Sequence, residues 1–171
     1  MEQTYISPRQ SGRTSLEPDE KRVAYRDAEQ QLAGLLAGLD DPVAVMASAA
    51  SVLFHALPQA SFVGFYRVVA PRLLRVGPYQ GPVACLEIPF ERGVCGAAAR
   101  QGKTQLVPDV DAFPGHIACD SASNSEIVVP LMKGSQLIGV LDLDSPLMAR
   151  FDDADARGLE KLTRIFVAAS D

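Results

Sequence analysis

Residues 126–144 read EIVVPLMKGSQLIGVLDLD. Two runs rich in branched apolar residues, Glu126 to Met132 and Gln136 to Asp144, flank Lys133-Gly134-Ser135, and such a pattern predicts a β-hairpin. In the second run, strand alternation puts Val140, Asp142 and Asp144 on one face and Leu141 and Leu143 on the other. One face of the sheet therefore seeks a core, and the other carries two carboxylates. Whether Glu126 joins them depends on the turn, because a one-residue change of register moves a side chain to the opposite face. A two-residue loop of Gly134 and Ser135 sets Glu126 against Leu143, whereas a three-residue loop through Gln136 sets it against Asp144. The three-residue loop is the reading adopted.

Three carboxylates converging in a partly closed pocket repel one another, so at least one is expected to hold its proton and donate it. Spacing alone leaves open the plainer reading, in which strand-end aspartates are solvated at a loop mouth.

Working outward, Asp152 with Asp155 three residues later caps a final helix through Phe166. Upstream, Pro108 to Asn124 is a long segment dense in turn formers, of the kind that is functional or disordered inside compact domains. Before it, Gly93 opens a short helix that Gly102 closes as a left-handed cap, and Thr104 to Val107 returns as a strand. Phe62–Val69, Leu73–Val76 and Ala84–Phe90 predict three further strands. Asp41 as N-cap and Pro42 at the first helical position start a helix that runs toward Leu57, and an amphipathic helix spans Asp19 to Leu39, its last turns weakened by Gly34 and Gly38. The fold class is α+β: a central, mostly antiparallel sheet with helices packed on one face and a loop-roofed ligand pocket on the other.

The chain has 171 residues, 47% of them hydrophobic, which suits one domain with a real core. Residues 1–18 read as a polar, poorly ordered extension and 19–171 as the domain. A net charge of -5 supplies no basic face for a phosphate backbone, so nucleic acid is not an expected partner. No stretch approaches the ~20 apolar residues of a membrane helix, and the first residues lack the apolar core of a secretory signal. Arg9 and Arg13 among Ser and Thr are faintly transit-like, but Glu2, Glu17, Asp19 and Glu20 oppose that reading. The expectation is a cytoplasmic protein without membrane contact.

Three cysteines cannot all pair within one chain, and a reducing cytosol does not hold static disulfides. Cys95, beside Gly93, Gly96 and three alanines, suits a small core residue. Cys119 differs: it lies in the Gly-, His- and Ser-rich loop near His116, where backbone amides and partial exposure favour a thiolate. His116 is a secondary candidate, since a histidine that merely hydrogen-bonds its loop is the commoner case. Cys85, Cys95 and Cys119 lack the close paired spacing of structural zinc sites, and only His55 and His116 could assist, so no metal is expected.

The stretch from GPYQGPVACLEIPF through GVCGAAARQ and GHIACD to SEIVVPL and SQLIGVLDLDSP resembles the free methionine-(R)-sulfoxide reductase family, from about Ser61 to the C-terminal helix. The resemblance implies a GAF-type domain, a homodimer and no bound cofactor. It implies Cys119 in GHIACD as the catalytic cysteine, with Cys85 in ACLEIPF and Cys95 in GVCG at resolving positions, Cys85 favoured and Cys95 the alternative or relay. The implied reaction is attack of the Cys119 thiolate on the sulfoxide sulfur, then a sulfenic acid, then a disulfide returned to thiols by thioredoxin.

By the same resemblance Glu126, Asp142 and Asp144 are substrate-binding carboxylates: Glu126 and Asp144 on the sulfoxide oxygen, Asp142 on the ammonium group. The substrate carboxylate is expected on backbone amides of the 116–119 segment, which brings in Ile117 and Ala118. Phe62 and Tyr66 in SFVGFY line the methyl pocket, Phe62 standing where the family usually has Trp. Two readings from other classes stand beside the enzyme. One is a ligand sensor passing a signal to an output domain, for which the chain is expected to have no room. The other is a thiol redox switch without turnover.

Overall fold

The structure is a computed structural model that describes residues 16–117, 119 and 121–169. In chain order its elements are α1 (Pro18–Leu35), α2 (Pro42–Ala56), β1 (Phe62–Ala70), β2 (Leu73–Gln80), β3 (Glu87–Pro89), α3 (Gly93–Gln101), β4 (Gln105–Val107), β5 (Ser125–Lys133), β6 (Gln136–Ser145) and α4 (Asp153–Ala168). The six strands form one sheet in the order β3-β2-β1-β6-β5-β4, with every neighbouring pair antiparallel.

The central hairpin corrects the expected turn while keeping its consequence. Lys133 pairs with Gln136, so the loop is the two residues Gly134 and Ser135, with Gly134 at a φ of 60° that its missing Cβ permits. Met132 then pairs with Leu137 but Leu131 pairs with Gly139, which leaves Ile138 as an extra residue on β6, a β-bulge. That one residue offsets the shorter turn. Beyond it Glu126 stands opposite Asp144 and Val128 opposite Asp142.

The alternation read from the sequence sorts the two faces. Val63, Phe65, Ile127, Val129, Leu141 and Leu143 pack against Leu32 of α1, Leu53 of α2 and Leu159, Leu162 and Phe166 of α4, all buried. Burying each such side chain stabilises the fold by roughly 1.5–3 kcal/mol. The opposite face holds Phe62, Tyr66, Val128 and Val140, covered by Val94, Cys95 and Ala98 of α3 and by Val110.

Local chemistry sets the helix starts. The Asp41 carboxylate accepts from the Val43 and Ala44 amides at 2.8 and 3.1 Å and Pro42 opens α2. Asp152 and Asp155 form the capping box of α4. α1 ends at Leu35, short of the expected Leu39, where Gly34 and Gly38 weaken its last turn. Glu17 and Pro18 belong to its start, and the rest of the expected N-terminal tail, residues 1–15, lies outside the described residues. β3 is shorter than the expected Ala84–Phe90: only Glu87–Pro89 stay in register with β2, the Leu86 carbonyl makes one further bond to the Val76 amide at 3.0 Å, and Cys85 before it is bonded to Cys119 instead.

Asp155 does more than cap. Its Oδ2 accepts from Lys21 Nζ at 2.5 Å and from the Asp152 amide at 3.0 Å, its Oδ1 from Tyr25 Oη at 2.9 Å, and Arg150 Nη1 lies 3.5 Å away. Arg150 also donates through Nε and Nη2 to the Pro58 carbonyl at 3.1 and 3.0 Å. This buried network joins α1, α4 and the end of α2. Among the described residues no helix is long and apolar enough to cross a membrane.

Candidate active site

The face of the sheet away from α1, α2 and α4 carries the site. β1 and β6 place Phe62 opposite Asp144 and Gly64 opposite Asp142, and β5 brings Glu126 to Asp144 on the far side. Two loops roof these side chains. Residues 108–124 are tied down by the Val110 amide on the Asn124 carbonyl at 3.0 Å and by the Gly93 amide on the Gly115 carbonyl at 2.9 Å, the second bond joining the loop to the start of α3. Residues 81–86 are tied to them by a disulfide between Cys85 and Cys119, whose Cα atoms are 5.3 Å apart. Cys119 is exposed, Cys85 half-buried.

Beneath this roof lies a cavity of about 30 Å3, bounded by Phe62, Tyr66, Cys95, Ile117, Cys119, Glu126, Asp142 and Asp144 among others. That is room for a water molecule or two, not for an amino acid. No Lys or Arg lines it among the described residues. Glu126 and Asp142 are buried, Asp144 half-buried.

Charge is therefore disfavoured throughout. Burial, and then the nearby Asp142 and Asp144 charges, hold the Glu126 carboxyl well above the usual range, and burial pushes Asp142 up to about 7. Glu126 donates to Asp142, and the Cys95 thiol also hydrogen-bonds it. Asp142 Oδ1 nonetheless remains buried without a partner. Burial, then the Asp142 and Glu126 charges, raises the Cys95 thiol, which makes it a poor nucleophile. His116 Nε2 lies 3.7 Å from Glu126 Oε2, and burial lowers the histidine's pKa, so it meets Glu126 as a neutral ring.

The fold brings together nearly all the residues singled out from the sequence. Cys95, Cys119, Glu126, Asp142, Asp144, Phe62, Tyr66 and Ile117 bound one cavity, and Cys85 reaches it through its bond to Cys119. Cys95 is a free, buried thiol. Phe62 stacks on Tyr79 with ring centroids 5.4 Å apart. Ala118 lies outside the described residues. Of the amides expected to receive a carboxylate, that of His116 donates to the Phe113 carbonyl at 3.1 Å and that of Cys119 to the Ile117 carbonyl at 3.0 Å, which leaves Ile117 as the described candidate. Ser123 was not foreseen. It bounds the cavity with a buried Oγ that has no partner, and its one sequence signal is its place where the loop rejoins the sheet.

Sheet order, helix placement and the loop-roofed pocket define the class as a GAF domain, and residues 40–169 match the GAF domain family. The chain is 44% identical over 142 residues to the free methionine-R-sulfoxide reductase of Escherichia coli (strain K12), an alignment covering 83% of this chain and 86% of that protein. The X-ray structure of free methionine-R-sulfoxide reductase from Neisseria meningitidis in complex with its substrate superposes with a TM-score of 0.85 at 44% identity, covering 91% of this chain and 93% of the other. The reduced form of fRMsr of Staphylococcus aureus gives a TM-score of 0.82 at 41% identity, covering 86% and 95%. The chain belongs to the free methionine-R-sulfoxide reductase family of GAF-domain proteins.

Proposed function

We propose that the chain reduces free L-methionine (R)-S-oxide to L-methionine, with Cys119 as nucleophile and Cys85 as the resolving thiol. The observation that carries the proposal is the Cys85–Cys119 disulfide spanning the roof of a pocket with three carboxylates and no Lys or Arg among its described walls. The Cys119 thiolate attacks the sulfoxide sulfur while an acid protonates the sulfoxide oxygen; that oxygen passes to the Cys119 sulfur as the new sulfur–sulfur bond breaks, so methionine leaves and Cys119 becomes a sulfenic acid. The Cys85 thiol displaces water from it to form the disulfide, and an external dithiol takes up the oxidising equivalents, restoring both thiols.

Glu126, protonated by its surroundings, is the donor to the sulfoxide oxygen, with Asp144 beside it. Asp142, whose Oδ1 is unpartnered, receives the substrate ammonium group. Phe62 and Tyr66 wall the methyl group, and the amides of Ile117 and Ala118 receive the carboxylate. Cys95, buried and hydrogen-bonded to Asp142, is the alternative resolving thiol or a relay, its burial and raised pKa favouring Cys85 as the first resolver. Residues 19–171, with Glu17 and Pro18 at the start of α1, form the domain behind a polar extension, acting as a homodimer in the cytoplasm with thioredoxin as reductant.

The test is thioredoxin-coupled oxidation of reduced nicotinamide cofactor with separate R and S epimers of free methionine sulfoxide. Wild type is expected to turn over the R epimer alone and Cys119→Ser neither. Cys85→Ser is expected to release one methionine per chain in a first turnover and then to cycle far more slowly than wild type, with only the buried Cys95 left to resolve the sulfenic acid. A folded wild type with free thiols that reduces neither epimer overturns the proposal in favour of a sensor or a redox switch.

A further inference from the structure

Cys95 on α3, Glu126 on β5 and Asp142 on β6 each offer a ligand atom, and these three atoms lie within 4.8 Å of one another. No pair of them is close in sequence, so the spacing rules for zinc sites do not detect them. In a tetrahedral zinc site, bonds of about 2.0–2.3 Å put donors roughly 3.5 Å apart, a contraction that small side-chain rotations supply. Two further observations point to an occupant. Asp142 Oδ1 and Ser123 Oγ are both buried, bound the same cavity and lack partners. The cavity, about 30 Å3, accepts an ion with a water and excludes larger ligands.

We infer that the disulfide form of the chain binds a borderline-soft divalent cation of the zinc class through Cys95 Sγ, Glu126 and Asp142, with Ser123 Oγ available to a water on the ion. The mixed sulfur and oxygen donors select against magnesium and calcium, which prefer oxygen alone. No Lys or Arg lines the cavity among the described residues, and a dication bound there supplies positive charge and releases the ligands' protons to solvent. The ion would occupy the carboxylates assigned above to the substrate, but its binding does not depend on the reductase reading.

The test uses the whole chain oxidised until a single free thiol, Cys95, remains, with cobalt(II) as the probe. One equivalent is expected to bind with a thiolate-to-cobalt charge-transfer absorption, and zinc is expected to remove that absorption by displacement. Cys95→Ala should abolish the absorption, and Asp142→Asn, which keeps the shape of the pocket, should weaken binding at least tenfold. Circular dichroism identifies a variant that fails to fold; if Cys95→Ala does, Asp142→Asn and the charge-transfer band decide. Cobalt that binds without the band, or as tightly to Asp142→Asn as to wild type, overturns the inference. Sulfoxide turnover in metal-free buffer reads the reductase proposal separately.

Discussion

Asp142 is where one residue's chemistry reaches both stability and binding. Its carboxyl is raised from 3.8 to about 7 by burial, so the folded state holds a proton that the unfolded chain has already released. The sign follows: the contribution is fully present below about pH 3.8 and is lost as pH rises through about 7. The loss is on the order of a few kcal/mol. Asp142→Asn, neutral at every pH, is expected to be progressively more stable relative to wild type between pH 4 and pH 7, read as a widening difference in Tm. A difference that stays constant across that range would place the proton on another group. The same variant should bind methionine sulfoxide more weakly, since the amide no longer offers a negative oxygen to an ammonium group. Alternation in 126–144 was enough to put Asp142 and Asp144 on one face. Their desolvation could not be read there, because it comes from α3 and the loops above them.

Among the elements, the α1–α4 junction depends most on a single side chain. Asp155 is fully buried and is shared by Lys21, Tyr25, Arg150 and the Asp152 amide. Asp155→Ala leaves the buried Arg150 without a counter-charge and Lys21 with Asp152 alone, 2.8 Å away, a loss of about 3–5 kcal/mol expected from such sites. Equilibrium urea denaturation should show that drop as a lower midpoint with an unchanged slope, and a drop under 1 kcal/mol would mean the network has little net effect. The capping box was legible because Asp152 and Asp155 are three residues apart. The ion network was not, because Lys21 is 134 positions away from Asp155 and reads as a surface lysine on an amphipathic helix. The β5–β6 turn shows a different limit. Around Ile138 the run Leu137-Ile138 is apolar on both faces, so no alternation marked the extra residue. Two departures, a shorter turn and a bulge, cancelled in the register that matters.

On the scale of the whole molecule, the class of fold was visible in the order of helices and strands, and the site in its motifs. The cavity's dimensions depend on segments that meet only in three dimensions. Ser123, Ile88 and Val94 close it from three separate parts of the chain, and a bond between residues 34 positions apart holds down its roof. With that bond formed, the space left above the carboxylates is too small for methionine or its sulfoxide. The reduced protein is thus the only form expected to bind either, and the catalytic cycle acquires a direction. Product released at the oxidation step has no way back until the reductant has acted. Steady-state kinetics should show this as an unusual inhibition pattern: added methionine competes simply with the sulfoxide instead of giving the mixed pattern of an ordinary two-stroke exchange enzyme. High sulfoxide should not slow the reductant's half of the cycle, because the oxidised enzyme offers it no foothold.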